Sequence, residues 1–118
     1  MRMKLAIIGS RGIDEKKALE IIEQVIKKAT KTITEIISGG AKGADTTAKN
    51  YAKANGIKLT EYLPNYKEYG RGAPLKRNET IIKNSDAVLA IWDGESRGTQ
   101  HAIRKAKAQG MPTLIIKI

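Results

Sequence analysis

Met3-Lys4-Leu5-Ala6-Ile7-Ile8-Gly9-Ser10-Arg11-Gly12 is an apolar run that ends in a glycine turn, and the residues after it have a helical pattern. The same order of apolar run, glycine turn and helix recurs at Ser38-Gly39-Gly40-Ala41-Lys42-Gly43 and at Asp93-Gly94-Glu95-Ser96-Arg97-Gly98-Thr99. This arrangement directs free backbone N–H groups and the positive end of a helix toward a bound anion. In a parallel sheet the three turns open on one edge, so they are predicted to line one crevice for a phosphorylated small molecule.

Hydrophobic periodicity divides the chain into alternating strands and helices. Strands are predicted at Met3–Ile8, Thr34–Ile37, Ile57–Tyr62, Ala87–Trp92 and Thr113–Ile118. Helices are predicted from an Asp14 cap to about Ala29, at Ala44–Asn55, at Leu75–Asn84, and at Thr99–Gln109 with Thr99 as N-cap. The segment Leu63–Pro74 is predicted to be irregular and contains two of the three prolines.

The alternation predicts a single-domain, Rossmann-like α/β fold over residues 1–118, with helices on both faces of a five-stranded, mostly parallel sheet. Its two most apolar strands, Met3–Ile8 and Ala87–Trp92, should be central, which gives the strand order 3-2-1-4-5. The topological switch point then lies between these two strands, and Gly9–Gly12 faces Asp93–Thr99 across the crevice.

The amino-acid composition indicates which classes of partner the protein can bind. The chain has 22 Lys+Arg against 12 Asp+Glu, a net charge of +10, which favours anionic partners, but the cations are dispersed and form no basic block. The 118 residues include no cysteine and no apolar run long enough for a membrane span or signal peptide. We therefore expect a cytoplasmic protein with no membrane association, no metal and no cofactor.

The first turn offers bending at Gly9, a hydroxyl at Ser10 and a planar guanidinium at Arg11. The second offers Gly39, Gly40, Lys42, Gly43 and Asp45, without the spacing of a Walker P-loop; Asp45 is suited to a ribose hydroxyl. The third offers most donors, with a bound phosphate expected at the N–H of Gly98 or Thr99, and its candidate residues are Asp93, Gly94, Ser96, Gly98 and Thr99.

Arg77-Asn78 opens a helix after the irregular segment, where the arginine can reach over the crevice. Structural explanations stay open beside these interpretations: a solvent-facing Arg11, an Asp45 that complements a helix dipole, and a surface Arg77. The chain has no Ser-His-Asp or Cys-His set, and His101 is better explained as a surface or capping residue than as a base.

The ordered succession of motifs resembles the SLOG superfamily, and within it the short YspA-like members, over almost the whole chain. The matching stretches are Gly9-Ser10-Arg11, Ser38-Gly39-Gly40-Ala41-Lys42-Gly43-Ala44-Asp45, Pro64-x-Tyr66-x-x-Tyr69-Gly70, Arg77-Asn78-x-x-Ile81, Asp86-Ala87-Val88 and Trp92-Asp93-Gly94-x-Ser96-x-Gly98-Thr99. The resemblance implies a site for nucleotide-like anions.

Two branches of the superfamily imply different activities. Similarity to the Lonely Guy phosphoribohydrolases makes Arg77 a catalytic arginine and Gly94, Gly98 and Thr99 a phosphate loop, but their glutamate falls at Ala102, where no proton can be moved. Similarity to the Rossmann-like part of DNA-processing protein A rests on Gly9-Ser10-Arg11, Gly40-x-x-Gly43-x-Asp45 and Arg77-Asn78.

Three functions therefore remain open. The first is binding or sensing of a nucleotide or nucleotide-derived ligand, the second hydrolysis of a nucleoside monophosphate, and the third binding of single-stranded nucleic acid. A homodimer is an open alternative to the monomer.

Overall fold

The computed structural model describes residues 2–118. The strands of this part of the chain are β1 (Arg2–Gly9), β2 (Thr32–Ser38), β3 (Lys58–Glu61), β4 (Ala87–Trp92) and β5 (Thr113–Lys117). The helices are α1 (Glu15–Lys28), α2 (Ala44–Ala54), the short α3 (Tyr66–Tyr69), α4 (Ala73–Lys83) and α5 (Arg97–Ala108).

The strands form one sheet in the order β3-β2-β1-β4-β5, and each neighbouring pair is parallel. Leu5 of β1 lies beside Ile36 of β2 on one side and Ala87 of β4 on the other. The predicted fold class and strand order are confirmed. The two most apolar strands are central because only central positions are covered on both faces by helices.

Alternation along β1 sends its side chains to two separate cores. Leu5 and Ile7 pack on one face, in a core that includes Ile22 of α1 and Ala48 of α2. Ala6 and Ile8 pack on the other face, in a core shared with α4 and α5. Each core is apolar and buried, and burial of this kind is the main source of folding free energy.

Two predicted boundaries are wrong. Leu63–Pro74 is not wholly irregular: it contains α3, whose first turn is capped by the Asn65 side chain, and a 3₁₀ turn at Gly70–Gly72. The fifth helix begins at Arg97, and its cap is Ser96, whose Oγ accepts from the Thr99 N–H at 3.4 Å. Thr99 therefore lies inside the first turn and is not the N-cap.

Within residues 2–118 no helix is both long enough and apolar enough to cross a membrane.

Gly9 ends β1 at a point where the backbone of β4 and helix α2 approach closely. A Cβ at this position would lie 2.6 Å from the Cβ of Ala44 and would also meet the carbonyl oxygen of Ile91. Gly12, three residues later, has open space within 4 Å. Only the first of these two glycines is required by packing.

We expect Gly9→Ala to lower the free energy of unfolding by about 1–3 kcal/mol, because overpacking must displace a strand or a helix. Gly12→Ala is the matched control and should change it by less than about 0.5 kcal/mol. Urea denaturation followed by circular dichroism measures both. Equal effects of the two substitutions would contradict the packing argument.

Candidate functional site

A crevice of about 380 Å³ opens at the carboxyl edge of the sheet, between the turn after β1 and the turn after β4. Helix α4 closes one side of it through Pro74, Asn78 and Ile81. The crevice is lined by ten of the predicted site residues: Gly9, Arg11, Gly39, Asp45, Arg77, Asn78, Asp93, Ser96, Gly98 and Thr99. The three glycine turns therefore do meet at one place.

Five predicted site residues do not line the crevice, namely Ser10, Gly40, Lys42, Gly43 and Gly94. Lys42 is exposed on the second turn. Gly40, Gly43 and Gly94 have φ values of 70°, 78° and 84°, the left-handed region that glycine adopts without strain. The three glycines therefore set the shape of the second and third turns.

Ser10 and Gly43 tie the first turn to its neighbours. Ser10 is only 1% exposed, and its Oγ accepts from the backbone N–H of Asp93 at 3.1 Å, which joins the first turn to the third. A Cβ on Gly43 would lie 2.6 Å from the Arg11 carbonyl oxygen, so the first and second turns are in backbone contact. The hydroxyl of Ser10 therefore has a structural partner.

Arg77 and Asn78 connect the second turn to the third. The Nη1 of Arg77 donates to the Gly39 carbonyl at 2.8 Å, and its Nε donates to the Asn78 Oδ1 at 3.0 Å. The Nδ2 of Asn78 in turn donates to the Gly98 carbonyl at 3.3 Å. Burial lowers the pKa of Arg77, against the opposing effect of Asp45. An arginine nevertheless stays protonated at neutral pH, so it brings a fixed positive charge to the crevice.

Asp45 lies in the first turn of α2 and is 6% exposed. Its Oδ2 accepts from the Ala41 N–H at 3.1 Å, while its Oδ1 is buried with no hydrogen-bond partner. Burial raises the pKa of Asp45 to about 6, and the Ala41 N–H and Arg77 oppose this rise. The crevice thus holds a carboxyl group that titrates close to neutral pH.

The start of α5 supplies donors to the crevice. Oδ1 of Asp93 accepts from the N–H groups of Glu95 and Ser96, both at 2.8 Å, and these bonds lower the pKa of Asp93. The Thr99 N–H already donates to the Ser96 Oγ. The N–H groups of Arg97 and Gly98 belong to the first turn, where no intrahelical acceptor exists. Free N–H groups at the positive end of a helix are an arrangement that suits an anion, and of these two residues Gly98 lines the crevice.

The same crevice lacks a carboxylate at the position where the resembling hydrolases carry one. Ala102 lines it and is 1% exposed. Its neighbour His101 is half-buried and does not line the crevice. The described lining can bind an anion through two arginines and a helix end, and it presents Asp45 as its buried carboxyl group.

Sequence reasoning missed the contributions of Ala41, Pro74 and the tyrosines of α3. Ala41 matters through its backbone N–H, four residues before Asp45, which is a spacing that a turn-to-side-chain bond uses. Pro74 lies in the first turn of α4, a position that proline favours, so it marks a helix start and not the end of the irregular segment.

A larger apolar groove of about 630 Å³ lies between α1 and β5, away from the three turns. Its walls are mainly aliphatic, with Leu5, Val25 and Ile116 among them. Among the described residues that line it, none is an arginine. Its size therefore does not make it the better candidate for an anion.

Two solved structures share the fold of this chain. DNA processing protein A from Streptococcus pneumoniae superposes with a TM-score of 0.79 at 22% identity, over 98% of this chain and 50% of that protein. A structure of DNA processing protein A from Helicobacter pylori superposes with a TM-score of 0.72 at 23% identity, over 96% of this chain and 64% of that one. This chain thus spans about half to two thirds of their length.

Comparison of sequences identifies a relative of this chain and a family model that matches it. The "Gene 61 protein" of Mycobacterium phage D29 is 33% identical over 85 residues, which are 67% of this chain and 68% of that protein. The model of the YspA, cpYpsA-related SLOG family matches residues 3–69, which include β1, α1, β2, α2, β3 and the first two glycine turns. The chain belongs to the YspA, cpYpsA-related SLOG family.

Proposed function

We propose that the protein binds a nucleotide or a nucleotide-derived ligand, with the phosphate held in the crevice against the start of α5. The observation that carries the proposal is the convergence of Arg11, Arg77 and the first turn of α5 on one crevice. Its volume of about 380 Å³ lies in the usual range for small-ligand pockets, roughly 300–1,000 Å³.

The geometry of the third turn supports a phosphate at this end. Gly98 has no atom within 4 Å of the place where a Cβ would be, so a ligand can approach its backbone closely. The Arg97 and Gly98 N–H groups point out of the helix end, as in other anion sites. Arg11 is exposed and has a planar fork that suits phosphate oxygens.

Binding or sensing is favoured over hydrolysis because the crevice has Ala102 where a hydrolase of this superfamily needs a carboxylate. A general acid or base contributes roughly 10²–10⁴ to a rate, so its absence removes most of the activity. Asp45 is the buried carboxyl group of the crevice, but it lies on a different turn from Ala102. Arg77 already donates two hydrogen bonds inside the protein.

A second candidate function is the binding of single-stranded nucleic acid. Tyr66 and Tyr69 of α3 are 56% and 45% exposed. Tyr66 lies close enough to the Arg77 guanidinium to affect its pKa, and the Nζ of Lys76 lies 5.8 Å from the centre of the Tyr69 ring. Exposed aromatic rings beside cations are a common platform for stacked bases.

Other observations support this second candidate. The net charge is +10, and the Helicobacter pylori protein that shares the fold is described as binding single-stranded DNA. The sequence alone does not reveal that these two tyrosines share one short helix close to Arg77.

Replacing Arg11 by Ala should weaken binding of AMP or ADP by about 1.5–3 kcal/mol, the scale of a hydrogen bond to a charged group. Lys42→Ala is the matched control, since Lys42 is an exposed cation on the second turn that does not line the crevice. Titration calorimetry measures both. If the two variants lose equal affinity, general charge attraction explains the binding and the crevice does not.

Incubation with AMP and other nucleoside monophosphates should release at most a trace of ribose 5-phosphate, because Ala102 cannot transfer a proton. Product detection by chromatography tests this, with Arg77→Ala as a background control. Steady turnover that disappears in the Arg77 variant would establish a hydrolase instead of a binding protein.

If single-stranded DNA is a partner, Tyr66→Ala with Tyr69→Ala should weaken binding of an oligothymidine by about 1–3 kcal/mol for each stacked base. The variant with Phe at both positions keeps the rings and should bind as the wild type does. Fluorescence anisotropy at two salt concentrations measures the affinities. No binding by the wild type at low salt would exclude this candidate.

A further inference from the structure

We propose that Asp45 makes the crevice selective for ligands that carry a free ribose hydroxyl, at the 2′ or the 3′ position of a nucleotide. The proposal rests on the proposed function, because it assigns a second end to a ligand whose phosphate lies at α5. It is carried by the unsatisfied oxygen of a buried side chain that lines the crevice.

The position of the Asp45 carboxyl is fixed by its surroundings. One oxygen, Oδ2, accepts from the Ala41 N–H at 3.1 Å, and the side chain is held between the second turn and α2. The other oxygen, Oδ1, is buried and makes no hydrogen bond of standard geometry, although the Gly39 N–H is near enough to lower the pKa of the carboxyl group. A buried polar atom without a partner is uncommon in proteins and calls for an explanation, for which a ligand is one of few choices.

The charged groups around Asp45 do not supply the missing donor. Arg77 on α4 is the nearest cation that affects it, but its Nη1 and Nε donate to Gly39 and Asn78, and the described chain has no ion pair between Arg77 and Asp45 within 4.0 Å. Glu61 of β3 is a neighbouring like charge. Arg11, which affects Arg77, and Asp93 complete the charged lining of the crevice.

The chemistry of the free oxygen selects its ligand group. An ionised carboxylate accepts hydrogen bonds and repels a phosphate, so the second ligand group must be a neutral or cationic donor. Within residues 2–118 no three His, Cys, Asp or Glu side chains lie close enough together to hold a metal ion. A hydroxyl is the donor that a nucleotide carries nearest to its phosphate.

The fold sets the distance between the two ends of the site. Asp45 follows β2 and the anion-binding start of α5 follows β4, and these strands flank β1. The axes of β2 and β4 lie two strand spacings apart, roughly 10 Å, and this spacing sets the scale of the distance across the site. A ribose phosphate that forms a hydrogen bond at either end suits a separation of this order, whereas a base is attached on the far side of the sugar.

The pH dependence of ligand affinity is a second test of the role proposed for Asp45. Its pKa is raised to about 6 by burial, and a hydroxyl donor stabilises the ionised form. Binding of a ribonucleotide should therefore lower this pKa, and affinity should increase as the pH rises through about 6. The phosphate of every nucleoside monophosphate also loses its second proton at about pH 6. The signature of Asp45 is therefore the additional increase that AMP shows over a deoxynucleotide that leaves Oδ1 unpaired.

The test is titration calorimetry of the full chain with AMP, 2′-deoxy-AMP and 3′-deoxy-AMP, between about pH 5 and pH 7.5 so that the pKa of Asp45 is spanned. We expect at least one deoxy analogue to bind roughly tenfold or more weakly than AMP above the pKa, since a hydrogen bond to a charged group is lost. In Asp45→Asn the three ligands should bind alike, and all three should share the one pH dependence that their phosphate group causes.

Glu61→Gln is the matched control, because it removes a nearby negative charge outside the crevice lining and should keep the preference for AMP. Thermal unfolding of both variants verifies that they fold, and the wild-type comparison stands even if Asp45→Asn does not. Equal binding of AMP and both deoxy analogues by the wild type overturns the role of Asp45 and leaves the proposed function intact. If no nucleotide binds, the proposed function itself fails.

Discussion

The hydrogen bond from Arg77 to the Gly39 carbonyl is the interaction on which the crevice depends. It draws α4 over the carboxyl edge of the sheet, and through Asn78 the same helix holds the Gly98 carbonyl of the third turn. The guanidinium lies so close to Gly39 that a Cβ there would be 2.8 Å from its Cζ. A side chain at position 39 would therefore displace the guanidinium and weaken this hydrogen bond.

This arrangement gives Arg77 a structural task that limits its chemistry. Two of its donors are used inside the protein, and it is half-buried. Its charge still acts on the crevice at short range, where the low dielectric strengthens electrostatic interactions. Arg11 is the complementary case: it is exposed and lines the crevice, so its guanidinium is accessible to a ligand, while Arg77 preserves the shape of the site.

The fold was predictable from sequence because its signals are local and strong. The apolar runs of β1 and β4, each followed by a glycine turn, are enough to place both strands at the centre of the sheet. The N-cap of α5 was not predictable from sequence, because Ser96 and Thr99 both carry a hydroxyl and lie three residues apart. Which of them caps the helix depends on where Asp93 turns the chain. The short helix α3 was missed because four residues give no measurable period.

The site was predictable in outline and not in its electrostatics. The glycine turns indicate which loops converge, but they do not indicate that the Ser10 hydroxyl is occupied by Asp93 or that Lys42 is exposed. The free Oδ1 of Asp45 follows from burial by segments distant in sequence, which no local pattern encodes.

The buried carboxylate also bears on the choice between a free nucleotide and a DNA strand. Both ligands present a phosphate that suits Arg11 and the start of α5, so the anion end of the crevice cannot separate them. A deoxyribose strand leaves Oδ1 of Asp45 without a donor inside the protein, and an unsatisfied buried acceptor costs about 1–3 kcal/mol. A ribose relieves that cost. With the role proposed for Asp45, the crevice favours a ribonucleotide. A DNA strand would gain affinity from the phosphate end of the crevice and from the exposed tyrosines outside it.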